Sequence, residues 1–255
     1  MTRPAVPHAL QLIALPGLPE IRKGDVLSHV IAQAARQAKT SFQSGDVVVI
    51  AQKIVSKAEG NVVDLTQIKP SSRAIPLAAK LKKDPRLVEV ILSESQRIVR
   101  EDPVLISETR HGFVCANAGV DHSNVPGVDL VTLLPRDPDA SARKIATGLR
   151  RVTGKRIAVI ISDTFGRPWR LGLTNVAIGV EGLPVLLDLR GTVDRNAKPL
   201  QATILAVADE LGAAAGLLMG KAEGFPVVII RGYRYSPMSE PATRIIRPAH
   251  EDLFR

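Results

Sequence analysis

Residues 157–167 read Ile157-Ala158-Val159-Ile160-Ile161-Ser162-Asp163-Thr164-Phe165-Gly166-Arg167, and the predicted fold is organised around this stretch. Its first five residues are apolar and mostly β-branched, a pattern typical of a strand buried on both faces. In open α/β sheets, ligands bind beyond the carboxyl ends of the strands. The polar residues Asp163, Thr164 and Arg167 are therefore candidates for a site that holds a metal ion and a phosphate. The alternative is that Asp163 or Thr164 caps a following helix.

Composition and charge limit the class of protein. The chain of 255 residues is 45% hydrophobic and 23% charged, which is typical of a globular protein and argues against disorder. Its net charge of +9 is spread without a long basic run, and aromatic residues make up only 3%. This balance favours anionic small molecules over nucleic acid as partners. The single cysteine, Cys115, excludes an internal disulfide and a cysteine-based zinc site, and we expect a buried thiol.

No apolar run reaches membrane-spanning length, and the N-terminus shows no signal-peptide pattern. We therefore expect a cytoplasmic protein with no membrane partner.

A second buried strand is predicted at residues 47–51, and two lysines follow it. Lys53 and Lys57 could bind a polyphosphate as point charges. Alternatively, the segment 52–60 is a solvated edge strand whose lysines oppose aggregation. The residues leave both interpretations open.

The remaining pattern predicts a mixed α/β fold with several buried strands. Asp139 or Ser141 is the expected cap of the helix over 141–151. The other predicted elements are strands over 10–15 and 227–232 and helices over 26–38, 73–100 (interrupted at Asp84-Pro85) and 201–218.

Three predicted loops, 52–59, 117–124 and 163–170, together supply acidic metal ligands, cations for phosphate and glycines. That combination suits metal-assisted phosphoryl transfer. The sequence lacks the Gly-x4-Gly-Lys-Ser/Thr pattern of a phosphate loop and the Gly-x-Ser-x-Gly elbow of a serine hydrolase. His111 and His122 have no spacing that specifies zinc.

Five segments resemble the signatures of a known family, in order and at compatible spacing over nearly the whole chain. They are Gly17-Leu18-Pro19, Ser56-Lys57-Ala58-Glu59-Gly60, Asn117-Ala118-Gly119-Val120-Asp121-His122-Ser123-Asn124, Asp163-Thr164-Phe165-Gly166-Arg167 and Leu217-Leu218-Met219-Gly220. The Asn-Ala-Gly-Val-Asp-x-Ser-Asn and Ser-Asp-Thr-x-Gly-Arg runs are the specific ones. With them, the chain resembles the coenzyme F420-0:L-glutamate ligase family.

The resemblance implies an unusual two-domain α/β fold that is neither a P-loop fold nor an ATP-grasp fold, and an intertwined homodimer. For this chain it implies one catalytic unit over 1–255, with two interleaved subdomains whose boundary lies near 104–140. It also implies the reaction: GTP phosphorylates the phospholactyl carboxylate of F420-0, and the amine of L-glutamate attacks the acyl phosphate. Further γ-linked glutamates can follow.

The resemblance also assigns roles to residues. The implied metal ligands, for Mg²⁺ or Mn²⁺, are Asp121, Asp163 and Thr164, with K⁺ as an optional further cation. Glu223 is a candidate metal ligand in place of a family glutamate that this chain lacks. The implied catalytic residues are Asp163, Lys57, which neutralises developing charge, and Arg167. The implied nucleotide contacts are Leu18, Pro19, Glu20, Ile21, Gln52, Lys53, Lys57, Asn124, Met219, Gly220, Lys221, Ala222, Glu223 and Gly224.

One departure from the family pattern leaves the number of metals open. Archaeal members carry a glutamate ligand just after the Met-Gly pair, where this chain has Lys221 and places its acidic residue at Glu223. Two other functions stay open as well: a relative acting on a different phosphorylated acid, whose pocket could include Arg167, Trp169 and Arg170, and a GTP-binding protein without catalysis.

Overall fold

The computed structural model describes residues 9–123, 127–220 and 223–252. In this part of the chain the helices are α1 (Leu27–Gln37), α2 (Gln52–Glu59), α3 (Ala74–Leu81), α4 (Pro85–Glu94), α5 (Pro138–Thr153) and α6 (Val207–Met219). The strands are β1 (Gln11–Ala14), β2 (Val47–Ala51), β3 (Val62–Asp64), β4 (Ser95–Arg100), β5 (Ile106–Thr109), β6 (Val114–Ala116), β7 (Leu130–Thr132), β8 (Ala158–Arg167), β9 (Arg170–Glu181), β10 (Leu187–Asp188), β11 (Ile204–Leu205) and β12 (Val227–Arg231). The mixed α/β class is as predicted.

The main sheet has five strands in the order β1-β12-β2-β8-β9. Its central pair, β2 and β8, runs parallel, and the other pairs are antiparallel. The side chains of Val47–Ile50 and Val159–Ile161 are fully buried, as the unbroken apolar runs predict. Helix α5 packs on β8 and β9, α1 packs on α5, and α6 packs on β9 and β12.

Two clusters of buried apolar side chains hold the chain together. The larger one surrounds the five-stranded sheet. The smaller one draws its buried members from residues between Leu65 and Val131, in α3, α4, β7 and the connecting segments. The smaller sheets β3-β7 and β4-β5-β6 lie in the same part of the chain. The prediction of two subdomains with a boundary near 104–140 stays a prediction.

The stretch at 157–167 differs from its predicted form at its polar end. Strand β8 continues through Asp163 and Thr164 to Arg167 and then turns back as β9. Neither residue caps a helix, so the capping alternative is wrong, and 163–170 is a hairpin rather than a loop. Pairing with β9 supplies the hydrogen bonds that let these polar residues stay extended.

Residues 52–59 form helix α2, so the solvated edge strand considered for this segment is also wrong. Helix α2 starts directly after β2 and ends at Gly60, whose φ of 78° is left-handed. Its face carrying Ile54 and Val55 is buried, which explains why the lysine-containing segment folds back onto the body of the protein.

Three predicted helices have different bounds in the structure. The segment 73–100 contains two helices, and its last six residues form β4 paired with β5, although Asp84 and Pro85 start α4 as expected. The helix predicted over 201–218 begins only at Val207, because residues 204–205 pair with β10. Helix α5 begins at Pro138, and its cap is Asp137 rather than Asp139 or Ser141.

Two carboxylates contact the backbone of β9. Asp139, in the first turn of α5, accepts hydrogen bonds from the N–H of Val180 at 2.8 Å and of Ala242 at 3.1 Å. Asp209, in the first turn of α6, accepts from the N–H of Ala177 at 2.8 Å. Burial raises the pKa of both carboxyl groups above the ordinary value. Each acid thus ties the start of a helix to the last strand of the main sheet.

None of the helices in the described ranges is long and apolar enough to cross a membrane.

Candidate active site

The site begins where the two parallel strands of the main sheet end together. Ala51 of β2 pairs in register with Ser162 of β8, so the residues that follow each strand lie side by side. After β2 the chain enters α2, which places Lys53 and Lys57 one turn apart on one helix face. After Ser162 the chain continues as strand, with Asp163 and Thr164 next in line. The sheet therefore brings two cations and two oxygen donors to one edge.

A cleft of about 810 Å³ opens at this edge. Its walls come from four parts of the chain: the segment after β1, the β2–α2 junction, the β8–β9 hairpin, and the end of α6 with the loop that follows. The lining residues are Leu18, Pro19, Glu20, Ile21, Ala51, Gln52, Lys53, Ile54, Lys57, Ser162, Asp163, Thr164, Leu173, Asn175, Gly216, Met219, Gly220, Gly224, Phe225 and Pro226.

Each lysine of the cleft contacts a carboxylate from another segment. Lys57 is buried except for 9% of its surface and donates to Oε1 of Glu20 at 2.5 Å. The Nζ of Lys53 lies 2.6 Å from Oδ2 of Asp121 and also donates to the hydroxyl of Ser123. Burial raises the pKa of Asp121, but the contacts with Lys53 and Ser123 outweigh it and hold the pKa below the ordinary value. Asp121 is thus a carboxylate with a cation already beside it.

Gln52 lines the cleft with a side chain that is 1% exposed. Its Oε1 accepts a hydrogen bond from the hydroxyl of Ser56 at 2.9 Å, which holds the side chain against its own helix. Its amide nitrogen Nε2 is buried and has no hydrogen-bond partner among the described residues. A buried donor left unpaired costs about 1–3 kcal/mol.

The sequence model of the F420-0:Gamma-glutamyl ligase family matches residues 17–232. The chain belongs to this family. It is 49% identical over 250 residues to a coenzyme F420:L-glutamate ligase from Methanothermobacter thermautotrophicus, covering 96% of this chain and 99% of the relative. It is 46% identical over 231 residues to a coenzyme F420:L-glutamate ligase from Methanocaldococcus jannaschii, covering 90% of each. A third relative of that name, from Natronomonas pharaonis, is 39% identical over 253 residues, covering 96% of this chain and 95% of the relative.

Most residues that the ligase family resemblance assigns to the nucleotide lie in the cleft. Asp163 and Thr164, assigned to the metal, line the same cleft. The lining residues assigned to the nucleotide are Leu18, Pro19, Glu20, Ile21, Gln52, Lys53, Lys57, Met219, Gly220 and Gly224. Three assigned residues, Asn124, Lys221 and Ala222, lie outside the described residues.

Other assigned residues of the ligase lie beside the cleft or away from it. Asp121 does not line the cleft but contacts Lys53, which does. Glu223 is exposed and lies beside Gly220: a Cβ built on Gly220 would lie 2.7 Å from Oε2 of Glu223. Arg167 lies at the exposed tip of the β8–β9 hairpin, donates to the carbonyl of Leu171 at 2.9 Å and is absent from the lining of the cleft. Its catalytic role stays a prediction, and the cleft gives it no support.

The cleft also contains residues that the sequence did not single out. They include Ile54, Leu173, Asn175, Gly216, Phe225 and Pro226. Asn175 pairs in register with Thr164 across the β8–β9 hairpin. The register shift at the hairpin turn sets this pairing, so the spacing of the glycines at 166 and 172 alone does not give it, and nothing local indicates Gly216.

Cys115 is the buried thiol that the sequence predicts. It is 6% exposed, and burial together with the negative charge of Asp163 raises its pKa to about 12. At neutral pH it is therefore protonated and not a nucleophile. His111, which has no zinc-specific spacing, contacts the carbonyl of Arg136 at 3.1 Å through Nε2.

Proposed function

We propose that this protein is a GTP-dependent ligase that joins L-glutamate to the phospholactyl carboxylate of coenzyme F420-0. Family membership and three relatives named coenzyme F420:L-glutamate ligase, at 39–49% identity over nearly full length, support the acceptor and the amino acid. The nucleotide, the acyl-phosphate intermediate and the addition of further glutamates belong to the proposal alone.

The observation that carries the proposal is that Lys53 and Lys57 line one cleft together with Asp163 and Thr164. Two ammonium groups one helical turn apart, beside oxygen donors that can share a cation, suit a ligand with concentrated negative charge, as a nucleoside triphosphate has. The volume of about 810 Å³ is in the range for a small-molecule site. We assign the phosphate contacts to Lys53 and Lys57 and a polar contact to Gln52.

The proposed reaction has two balanced steps. A carboxylate oxygen of F420-0 attacks the γ-phosphorus of GTP, the bond between the γ-phosphorus and the bridging oxygen breaks, and GDP leaves. The amine nitrogen of L-glutamate then attacks the acyl carbon, inorganic phosphate leaves with the electron pair of the broken C–O bond, and the nitrogen loses a proton. Lys57 neutralises negative charge on the phosphoryl oxygens, which suits a reaction that depends on positioning and charge.

The donors present fit a divalent cation that is shared with a nucleotide. Among the described residues no group of three or more His, Cys, Asp and Glu side chains is arranged to hold a metal. Mg²⁺ is usually held by one or two carboxylates together with substrate phosphates, and Asp163 with Thr164 offers such a partial set. Asp121 and Glu223 are the further candidate ligands. When bound, the cation supplies charge neutralisation at the phosphates.

A homodimer is part of the proposal. The β8–β9 hairpin exposes three large apolar side chains: Trp169 is 84%, Leu171 98% and Leu173 64% exposed. Contiguous exposed apolar side chains on a soluble protein indicate an interaction surface, and a second copy of this chain is the occupant that we propose.

The experiment that tests the reaction is GDP release by the purified protein with GTP, L-glutamate and Mg²⁺ or Mn²⁺, with and without F420-0 and with and without K⁺. We expect GDP release that depends on F420-0, and a product heavier by one or more glutamate residues in a mass spectrum. Omission of L-glutamate is the control for uncoupled hydrolysis.

Two results would contradict the proposal. GTP turnover with another phosphorylated acid and none with F420-0 would identify a ligase with a different acceptor. Tight GTP binding without turnover on any acceptor would identify a nucleotide-binding protein without catalysis.

A further inference from the structure

Asn175 lines the cleft but is absent from the residues that the family resemblance implies. It lies on β9 opposite Thr164 and lines the cleft together with Ser162, Asp163 and Met219. Its side chain is half-buried between the β8–β9 hairpin and the end of α6.

The amide of Asn175 connects two walls of the cleft, the β8–β9 hairpin and the end of α6. Its Oδ1 accepts a hydrogen bond from the hydroxyl of Thr164 at 3.2 Å. Its Nδ2 donates to the hydroxyl of Ser162 at 3.4 Å and to the sulfur of Met219 at 3.5 Å. A thioether can only accept, so Nδ2 must face Met219, and the oxygen is left to face Thr164.

The orientation of this amide has a consequence for Thr164. A hydroxyl has one hydrogen to donate and two lone pairs to offer. Because Thr164 donates its hydrogen to Asn175, its oxygen presents lone pairs in other directions. Asn175 thus makes Thr164 an acceptor or a metal ligand rather than a donor.

Helix α6 packs against Asn175 and has a glycine, Gly216, beside its amide group. A Cβ built on Gly216 would lie 3.0 Å from Cγ, 3.1 Å from Oδ1 and 3.3 Å from Nδ2 of Asn175. One turn earlier on the same helix, a Cβ on Gly212 would meet only ordinary contacts at 3.7–3.8 Å on the same strand. Gly216 therefore accommodates Asn175, whereas Gly212 has no such constraint.

We infer that Asn175 is a positioning residue of the ligase reaction: its amide fixes the hydroxyl of Thr164 as an acceptor and ties the end of α6 to the metal-facing strand. This inference rests on the proposed function for the identity of the ligand. It concerns a residue that acts through Thr164 and Met219, not one that touches the reacting atoms.

The test compares three variants with the wild type. Asn175→Leu keeps the volume but removes both hydrogen-bonding groups, Gly216→Ala displaces the amide, and Gly212→Ala is the matched control on the same helix. Binding of Mn²⁺ with a non-hydrolysable GTP analogue is measured from the electron paramagnetic resonance of free Mn²⁺. The midpoint of thermal unfolding and kcat/KM for GTP are measured alongside.

We expect Asn175→Leu to weaken Mn²⁺ binding and kcat/KM by about 10–100-fold, the usual effect of removing a partner that orients a metal ligand. Gly216→Ala should also weaken Mn²⁺ binding and lower kcat/KM, by a smaller factor. Because alanine favours the helix more than glycine does, such a loss would not come from a weakened α6. Gly212→Ala should leave both unchanged. All three variants should unfold within a few degrees of the wild type.

Three outcomes would overturn the inference. The first is that Asn175→Leu has the Mn²⁺ binding and the kcat/KM of the wild type. The second is that Gly216→Ala and Gly212→Ala lose Mn²⁺ binding and kcat/KM equally. The third is that these losses follow the decrease in the thermal midpoint from variant to variant. If Asn175→Leu fails to fold, the two glycine variants test the inference: weaker Mn²⁺ binding in Gly216→Ala than in Gly212→Ala supports it, and equal binding overturns it. A wild type that binds Mn²⁺ and the analogue but does not act on F420-0 contradicts the proposed reaction and leaves this comparison intact. A wild type that binds neither overturns both.

Discussion

At the scale of single residues, the cleft is defined by cations that already have partners. Lys53 contacts Asp121 and Lys57 contacts Glu20, so each ammonium group is already held in place by a carboxylate. Lys57 is 9% exposed, and a buried ammonium group interacts more strongly with a bound anion than a surface lysine does, because water screens surface charges.

Asp163 provides the first residue-scale prediction. Asp163→Asn should lower the rate of F420-0-dependent GDP release by roughly 10²–10³-fold, because a neutral amide offers a cation and a developing charge much less electrostatic stabilisation. The measurement is kcat for GDP release at saturating GTP, together with the thermal midpoint.

Asp188→Asn is the control for this prediction, since Asp188 is exposed on β10 and pairs with Arg190 at 2.6 Å away from the cleft. Equal rates for the Asp163 variant and the wild type would argue against any role of this carboxylate in the reaction.

The sequence predicted part of the site and missed the rest for a physical reason. Asp163, Thr164, Lys53 and Lys57 could be found because each lies within a few residues of the end of a recognisable apolar run. Asn175 and the residues of α6 could not, because their place in the cleft depends on hairpin pairing and helix packing between segments distant in the chain.

At the scale of elements, local polarity was a poor guide to where strands end. Ser162, Asp163 and Thr164 are polar and suggest a strand terminus, yet β8 continues because β9 pairs with it through Arg167. The same competition between local pattern and pairing shortened the helix predicted over 73–100, where residues 95–100 pair with β5 instead.

Gly179 of β9 provides a prediction about packing between elements. A Cβ at this position would lie 2.4 Å from the carbonyl oxygen of Pro138, a backbone atom at the start of α5 that cannot move aside alone. Gly179→Ala should therefore lower the free energy of unfolding by about 1–3 kcal/mol, the usual cost of overpacking. Urea unfolding monitored by circular dichroism measures it.

Gly166→Ala is the matched control in the partner strand, since its Cβ would meet its nearest neighbour at an ordinary 3.9 Å. A Gly179 variant as stable as this control would show that α5 adjusts to β9 without cost.

Asp209 provides a prediction about pH. Burial raises its pKa above the ordinary 3.8, so the folded state holds this proton more tightly than the unfolded state does. The resulting stabilisation is fully present below pH 3.8 and is lost as pH rises through the raised pKa. Relative to Asp209→Asn, the wild-type free energy of unfolding should therefore fall with rising pH across this window and then level off.

The measurement for Asp209 is urea unfolding of both proteins at a series of pH values from 3.5 to 8, a series chosen to span both ends of the window. Subtracting the two curves removes the other titrating groups. If the wild-type free energy of unfolding instead rises with pH relative to Asp209→Asn, the hydrogen bond from Ala177 lowers the pKa of Asp209 by more than burial raises it.

At the scale of the whole molecule, the chain builds two apolar cores of different size. The smaller one, between Leu65 and Val131, is made of segments that are local in sequence, whereas the larger one joins residues from both ends of the chain. The mixed α/β class was predictable because buried strands and amphipathic helices have local signatures. The order of strands was not, because β12 and β1 join the sheet from opposite ends of the sequence.

The exposed hairpin provides a prediction about assembly. Replacing Leu171 by glutamate places a charge on a side chain that is 98% exposed, so a monomer should tolerate it whereas an apolar interface should not. We expect Leu171→Glu to shift the mass measured by light scattering from that of a dimer toward 27.4 kDa. Val128→Glu, at another highly exposed apolar residue, is the control.

A wild type that elutes as a monomer would show that the proposed interface does not form. A Leu171→Glu variant that remains dimeric would place the interface elsewhere on the protein.

The bonds from Asp139 and Asp209 to β9 affect how the protein behaves in a crowded solution. An outer strand with vacant N–H groups is a template on which another chain can add as a further strand, and such growth leads to fibrils. Here two of those N–H groups, on Ala177 and Val180, are already bound by carboxylates that also repel an approaching carbonyl. These two positions of β9 are therefore closed to pairing with a further strand, which disfavours growth of the main sheet past this part of β9.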